Sequence, residues 1–179
     1  MRALQARSSR WRPAFDQPMR RYLFNCGWLL LPAVLWNLAF ANRLPAAFQP
    51  QEFWRDIPSA LAAVENSLRV VVFVLPFFMR LRWREPAQRR ALLLFAVGTL
   101  IYFCSWLALM AAPQSAWATS ALGFTAPAWT PALWLGALAL LGRDLFWGRF
   151  YRRWMYALVS AAFLVAHISH TAIVFARNT

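Results

Sequence analysis

Long apolar runs alternate with short connections along most of the chain, and the connections that carry charge carry mainly arginine. Five runs have the length of membrane-crossing helices: 22–41, 58–79, 91–112, 126–142 and 154–175. A helix needs about 20 residues to cross a hydrocarbon core about 30 Å thick. The fourth run is the shortest and contains Pro127 and Pro131; it extends to Phe146 if Arg143 snorkels. Its Ala132 and Gly136 have the spacing of a close helix contact. Asp56 is the expected N-cap of the second run. Pro76, near its other end, frees the carbonyl of Val72 and kinks the helix. The pattern predicts an all-α, polytopic membrane helix bundle: a basic tail over 1–21 and a single transmembrane domain over 22–179.

The second run is the anomaly. Glu65, Asn66 and Arg69 lie in its interior and share a face with Ala62, Phe73 and Pro76 at about 100° per residue. Charge at membrane depth is costly, so that face is expected to meet protein or trapped water rather than lipid.

Composition places the chain in the membrane class: 61% of residues are hydrophobic and the mean hydropathy is +0.43. The net charge of +13 raises nucleic-acid binding as an alternative, but its distribution argues otherwise. All nineteen basic residues are Arg; six precede the first apolar run, five lie in Arg80–Arg90 and four in Arg143–Arg153. The other connections hold Arg43, Arg55 and Arg177. Alternate loops are therefore basic, which predicts the amino terminus inside and the carboxyl terminus outside a bacterial inner membrane. Membrane lipids with anionic headgroups are the expected electrostatic partners, and no nucleic acid is implied.

Met19-Arg20-Arg21 is similar to a twin-arginine signal, and Ala39-Phe40-Ala41 has the form of a signal-peptidase site. The apolar run between them is long for a signal h-region, so an uncleaved anchor is expected. Cys26 and Cys104 fall at different depths and are expected as buried small residues rather than a disulfide. Of eleven tryptophans, Trp11, Trp83, Trp147 and Trp154 are expected at the inner interface and Trp54, Trp117 and Trp129 at the outer one. Trp28, Trp36, Trp106 and Trp134 lie deeper, facing lipid or lining a cavity.

Both histidines, His167 and His170, sit one helical turn apart on the fifth run, with Ser160 and Thr171 extending the same stripe. Counting from the outer boundary puts Glu65 roughly 10 Å deep and His167 roughly 12 Å deep. Asn37 and Tyr102 fall in the same half of the bilayer. The expected site is thus a polar outer-half pocket of Glu65, Asn66, Arg69, His167, His170, Asn37 and Tyr102. Its expected use is binding or translocating a small polar or anionic ligand, with Glu65 or His167 exchanging protons. A divalent metal on His167, His170 and Glu65 is one alternative, although Arg69 would repel a cation. A haem with a single axial histidine, in an enzyme or accessory redox subunit, is another. A third is a purely structural pocket in which Glu65 and Arg69 neutralise each other, in an assembly subunit with a membrane-protein partner or a second copy. No nucleophile–base set is apparent: Ser169 points about 100° away from both histidines.

In gross form (small, basic, Trp-rich, five runs) the chain resembles the tryptophan-rich sensory, or translocator, proteins. That resemblance implies tetrapyrrole or sterol binding only as a remote alternative. The Pro-Pro-Trp signature of that family is missing, Leu35-Trp36-Asn37-Leu38 is too short to stand in for it, and the outside carboxyl terminus departs from its arrangement. No site residue is carried over.

Overall fold

The computed structural model of the protein describes residues 23–82, 84–147 and 150–178. The basic tail over 1–21, with Trp11, and Trp83 lie outside the described residues. A 3-10 segment, Cys26–Leu30, leads into α1 (Leu31–Phe40); α2 is a single turn, Pro50–Phe53. Next come α3 (Ser59–Val74), prolonged by a 3-10 segment Leu75–Phe78, and α4 (Pro86–Ala111). Two short turns, α5 (Ala121–Phe124) and α6 (Ala126–Trp129), precede α7 (Pro131–Leu141), and α8 (Arg153–Asn178) closes the bundle. Among the described residues there are no strands, only two isolated bridges. Three segments, Ser59–Phe78, Pro86–Ala111 and Arg153–Asn178, are long and apolar enough to cross a membrane; Ala126–Leu141 is a shorter apolar one.

Local chemistry explains where the elements depart from the expected runs. Run 22–41 is not one regular helix: Asn25 Oδ1 accepts a bond from the Gly27 amide and caps the 3-10 segment. Pro32, in the first turn of α1, cannot bond back to Trp28, so α geometry begins only there. Asp56 is not the N-cap of α3; Pro58 holds that position without a side-chain bond. Asp56 instead adopts φ 52°, a left-handed turn that Asp tolerates better than most residues, and reverses the chain between α2 and α3.

Pro76 behaves as its chemistry demands. The helix tightens to 3-10 geometry at Leu75, and the Val72 carbonyl, robbed of its partner amide, accepts a bond from the buried Tyr156 hydroxyl at 3.2 Å. Tyr156→Phe removes that donor and strands a buried carbonyl. It is expected to lower unfolding stability by about 1–2 kcal/mol, measured by thermal or denaturant unfolding in detergent.

The shortest run supplies the centre of the core. In α7, Leu135, Ala137, Leu138 and Leu141 are fully buried and Trp134 nearly so. Its opposite face, with Leu133 and Leu140, stays exposed. The helix ends at Leu141 rather than reaching Phe146, and Arg143 forms an ion pair with Glu85 at 3.2 Å. Ala132 and Gly136 are exposed, and a Cβ on Gly136 would meet nothing; the close contact is made by Gly98 of α4. A Cβ there would lie 2.8 Å from both Leu133 Cβ and the Trp134 amide nitrogen. Gly98→Val therefore forces α4 and α7 apart, with an expected loss of about 2 kcal/mol or more in the same unfolding assay.

Candidate functional site

α3 and α8 pack side by side and bring the two anomalous stripes of the sequence together. Glu65 is fully buried, and each of its oxygens is taken. Oε1 accepts from Arg69 Nη2 one turn along α3 and lies 2.9 Å from His167 Nδ1. Oε2 lies 2.5 Å from His170 Nδ1. Arg69 also donates to Asn66 Oδ1 at 3.0 Å, so Asn66, exposed on α3, orients the guanidinium rather than entering the core.

His170 fixes the proton count. Its Nε2 lies 2.9 Å from the Phe53 carbonyl, which can only accept, so Nε2 carries a hydrogen. Its Nδ1 faces a carboxylate oxygen, and that short contact also needs a proton: either the ring is an imidazolium or the carboxyl is protonated and donates to Nδ1. Both arrangements give the same sum. With Arg69 charged, Glu65, Arg69 and His170 then sum to one net positive charge.

The cluster has an aromatic roof. Phe53, in the last turn of α2, stacks on His170 with ring centroids 4.1 Å apart, and Trp54 meets the same ring edge-on at 4.6 Å. The Arg69 guanidinium stands 5.6 Å from the Trp54 ring, and His167 stacks on Phe163. Arg177, near the end of α8, donates to the carbonyls of Glu52 and Arg55 and ties the roof down. Trp54, expected at the outer interface, is half-buried against His170 and Arg69. That roof is what sequence reasoning missed.

A cavity of about 350 Å³ opens beside the cluster, within the usual range for ligand pockets. Arg69 and His167 line one side, and Asn37 and Tyr102 another, joined by a Tyr102 hydroxyl to Asn37 Oδ1 bond of 2.8 Å. Thr171 also lines it, and most of the remaining wall is apolar: Phe48, Phe73, Trp106, Trp134 and their neighbours. Six of the seven expected residues therefore converge on the cluster or the cavity. Asn66 supports from outside.

Of the deep tryptophans, Trp106 and Trp134 line this cavity, Trp36 stacks on Phe103 and Trp28 is half exposed. Cys26 is buried as expected, but Cys104 faces off the bundle, one helical step from the inward Tyr102–Ser105 face; both are free thiols. Among the described residues no group of three or more His, Cys, Asp or Glu side chains is arranged to hold a metal ion. Both nitrogens of His170 are engaged, so this ring has no free lone pair for a metal or a haem iron. The chain matches no known protein-family model, and no curated protein or solved structure is significantly similar to it.

Proposed function

We propose that the protein binds and translocates a small anion with an apolar body, together with a proton, in the cavity between α1, α3, α4 and α8. The proposal includes its setting: five membrane crossings, amino terminus inside and carboxyl terminus outside a bacterial inner membrane. The alternation of arginine-rich and arginine-poor connections supports that topology.

The observation that carries the ligand class is the His170 ring with an acceptor at each nitrogen, Glu65 Oε2 and Phe53 O; with Arg69 charged, this assigns one positive charge to the Glu65–Arg69–His170 cluster beside a largely apolar cavity. A net charge at low dielectric is unfavourable until a counter-charge arrives. Arg69, with a third of its side chain exposed, is the member able to meet a carboxylate or similar group. The Trp134 indole nitrogen is buried without a hydrogen-bond partner among the described residues and can serve an acceptor on the ligand. An occupied site is then neutral: the ligand's charge cancels that of the cluster, with the proton retained between Glu65 and His170. A neutral assembly of ligand, proton and site crosses apolar surroundings at least cost.

The test is a thermal-shift and calorimetric comparison of matched probes on the protein in nanodiscs. Benzoate and phenylacetate are expected to bind and raise the unfolding midpoint, whereas benzylamine and benzyl alcohol are not. Equal responses to all four, or none to any, contradict an anion site.

A further inference from the structure

At the end of the bundle opposite the roof, three chain segments are laced together by backbone bonds. Cys26 N donates to Met79 O at 3.0 Å and Leu81 N to Phe24 O at 3.1 Å. Arg80 N donates to Asp144 O and Phe146 N to Phe78 O, both at 3.0 Å. Gln88, almost fully buried, adds a brace: its Oε1 accepts from the Arg82 amide at 2.7 Å and its Nε2 donates to Leu141 O, at the end of α7. Rigid backbone thus fixes the positions of Arg80, Arg82 and Arg143.

These segments and the start of α8 enclose an open cavity of about 1020 Å³. Five arginines line it (80, 82, 143, 152 and 153) against one acid, Asp144. Arg82 is held by Asp144 at 2.6 Å and by Glu85 at 3.5 Å, and Arg143 by Glu85 at 3.2 Å. Arg80, Arg152 and Arg153 have no acidic partner among the described residues. The Arg80 guanidinium donates through Nη2 to Phe146 O at 3.3 Å and stands over the Phe146 ring, yet its buried Nε has no partner among the described residues. Tyr151, also in the wall, keeps its proton: burial raises its phenol well above the ordinary value, and its hydroxyl donates to Met79 Sδ at 3.8 Å.

We infer that this cavity binds phosphate groups, and that its source of phosphate is the headgroup of an anionic membrane lipid or a soluble phosphate ester. Guanidinium forks match phosphate oxygens in geometry and charge, and three without acidic partners line this one cavity, with Arg80 among them held on the braced frame. The rim favours the lipid: Trp147 is 70% exposed and Trp154 58%, as in an aromatic belt at headgroup level. This site is separate from the anion cavity and does not depend on it.

Native mass spectrometry of the whole protein tests the inference, with cardiolipin, phosphatidylcholine and inorganic pyrophosphate as separate probes. The variants are Arg152→Gln/Arg153→Gln and, separately, Arg80→Gln. The control is Arg89→Gln/Arg90→Gln, which removes the same charge from exposed positions outside the cavity. Cardiolipin adducts are expected to outlast phosphatidylcholine adducts and to weaken by about tenfold in the cavity variants, against less than about twofold in the control. Retention of pyrophosphate with the same variant pattern, and no preference among lipids, assigns the site to a soluble ester. Equal losses in cavity and control variants, or binding of neither phosphate probe, overturns it. Arg152 and Arg153 are exposed and have no acidic partner among the described residues, so their replacement tests the site even if Arg80→Gln fails to fold.

Discussion

Glu65→Ala is expected to lower unfolding stability by about 3–5 kcal/mol, the largest effect of any single substitution discussed. The carboxylate is shared by Arg69, His167 and His170, and the side chain has no exposure. Its removal leaves the guanidinium without its carboxylate, deprives both imidazoles of their common acceptor and opens a void between α3 and α8. Glu65→Gln should lose about half as much. It preserves the volume, its carbonyl accepts from Arg69, and its amide donates to a neutral His170. Denaturant titrations of the detergent-purified proteins, followed by far-ultraviolet circular dichroism, measure both. Wild-type midpoints in Glu65→Ala would mean that the carboxylate is solvated and the cluster does not hold the two helices together.

Arg69→Ala is expected to behave in the opposite way. Without the guanidinium, the Glu65–His170 pair with its shared proton is neutral, so the fold tolerates the change with a loss of no more than about 1 kcal/mol. Affinity for benzoate should fall by about ten- to a hundredfold, the worth of a charge-assisted bond in a poorly solvated site. Arg69→Lys should recover part of it, since a lysine supplies the charge without the planar fork. Calorimetric titration in nanodiscs gives both numbers. Unchanged benzoate affinity in Arg69→Ala would remove the guanidinium from the binding site.

The contrast between the two variants separates roles that the sequence could only group. Glu65 and Arg69 are one turn apart on a face that also carries Phe73 and Pro76, and helical periodicity places them together. The same periodicity pairs His167 with His170. Meeting at a common depth follows from counting residues in from a shared boundary, which is why six of the seven expected side chains converge. What periodicity cannot supply is the chain reversal at Asp56. A positive φ at an aspartate leaves no pattern, and without it Phe53 and Trp54 look like ordinary interfacial aromatics. The roof, and with it the Phe53 carbonyl that fixes the proton on His170, is therefore invisible until the backbone is known.

The fold shows the same division. Pro76 freeing the Val72 carbonyl follows from proline chemistry alone, but the Tyr156 hydroxyl that rescues it comes from the neighbouring helix. The fourth run gives little signal because it is short, proline-bearing and apolar on every side. Those traits suit a helix with one face in the core and the other, equally apolar, exposed, so no amphipathic pattern marks it. Gly98 rather than Ala132 and Gly136 makes the close contact because the inward face of α7 is set by its neighbours, not by the spacing of small residues.

The ligand class rests on one claim: Glu65 and His170 retain a proton between them beside a charged Arg69. His167 and His170 are the only histidines in the chain, so uniform ¹⁵N-histidine labelling reports on nothing else. The measurement is a magic-angle-spinning ¹⁵N and carboxyl ¹³C spectrum of the ligand-free protein in lipid at neutral pH, with His170→Gln used for assignment. The expected result is a His170 ring protonated on both nitrogens, or a protonated Glu65 carboxyl strongly hydrogen-bonded to His170 Nδ1. Two ordinary neutral imidazoles beside an ionised Glu65 would make the cluster electrically balanced and contradict the case for an anionic ligand.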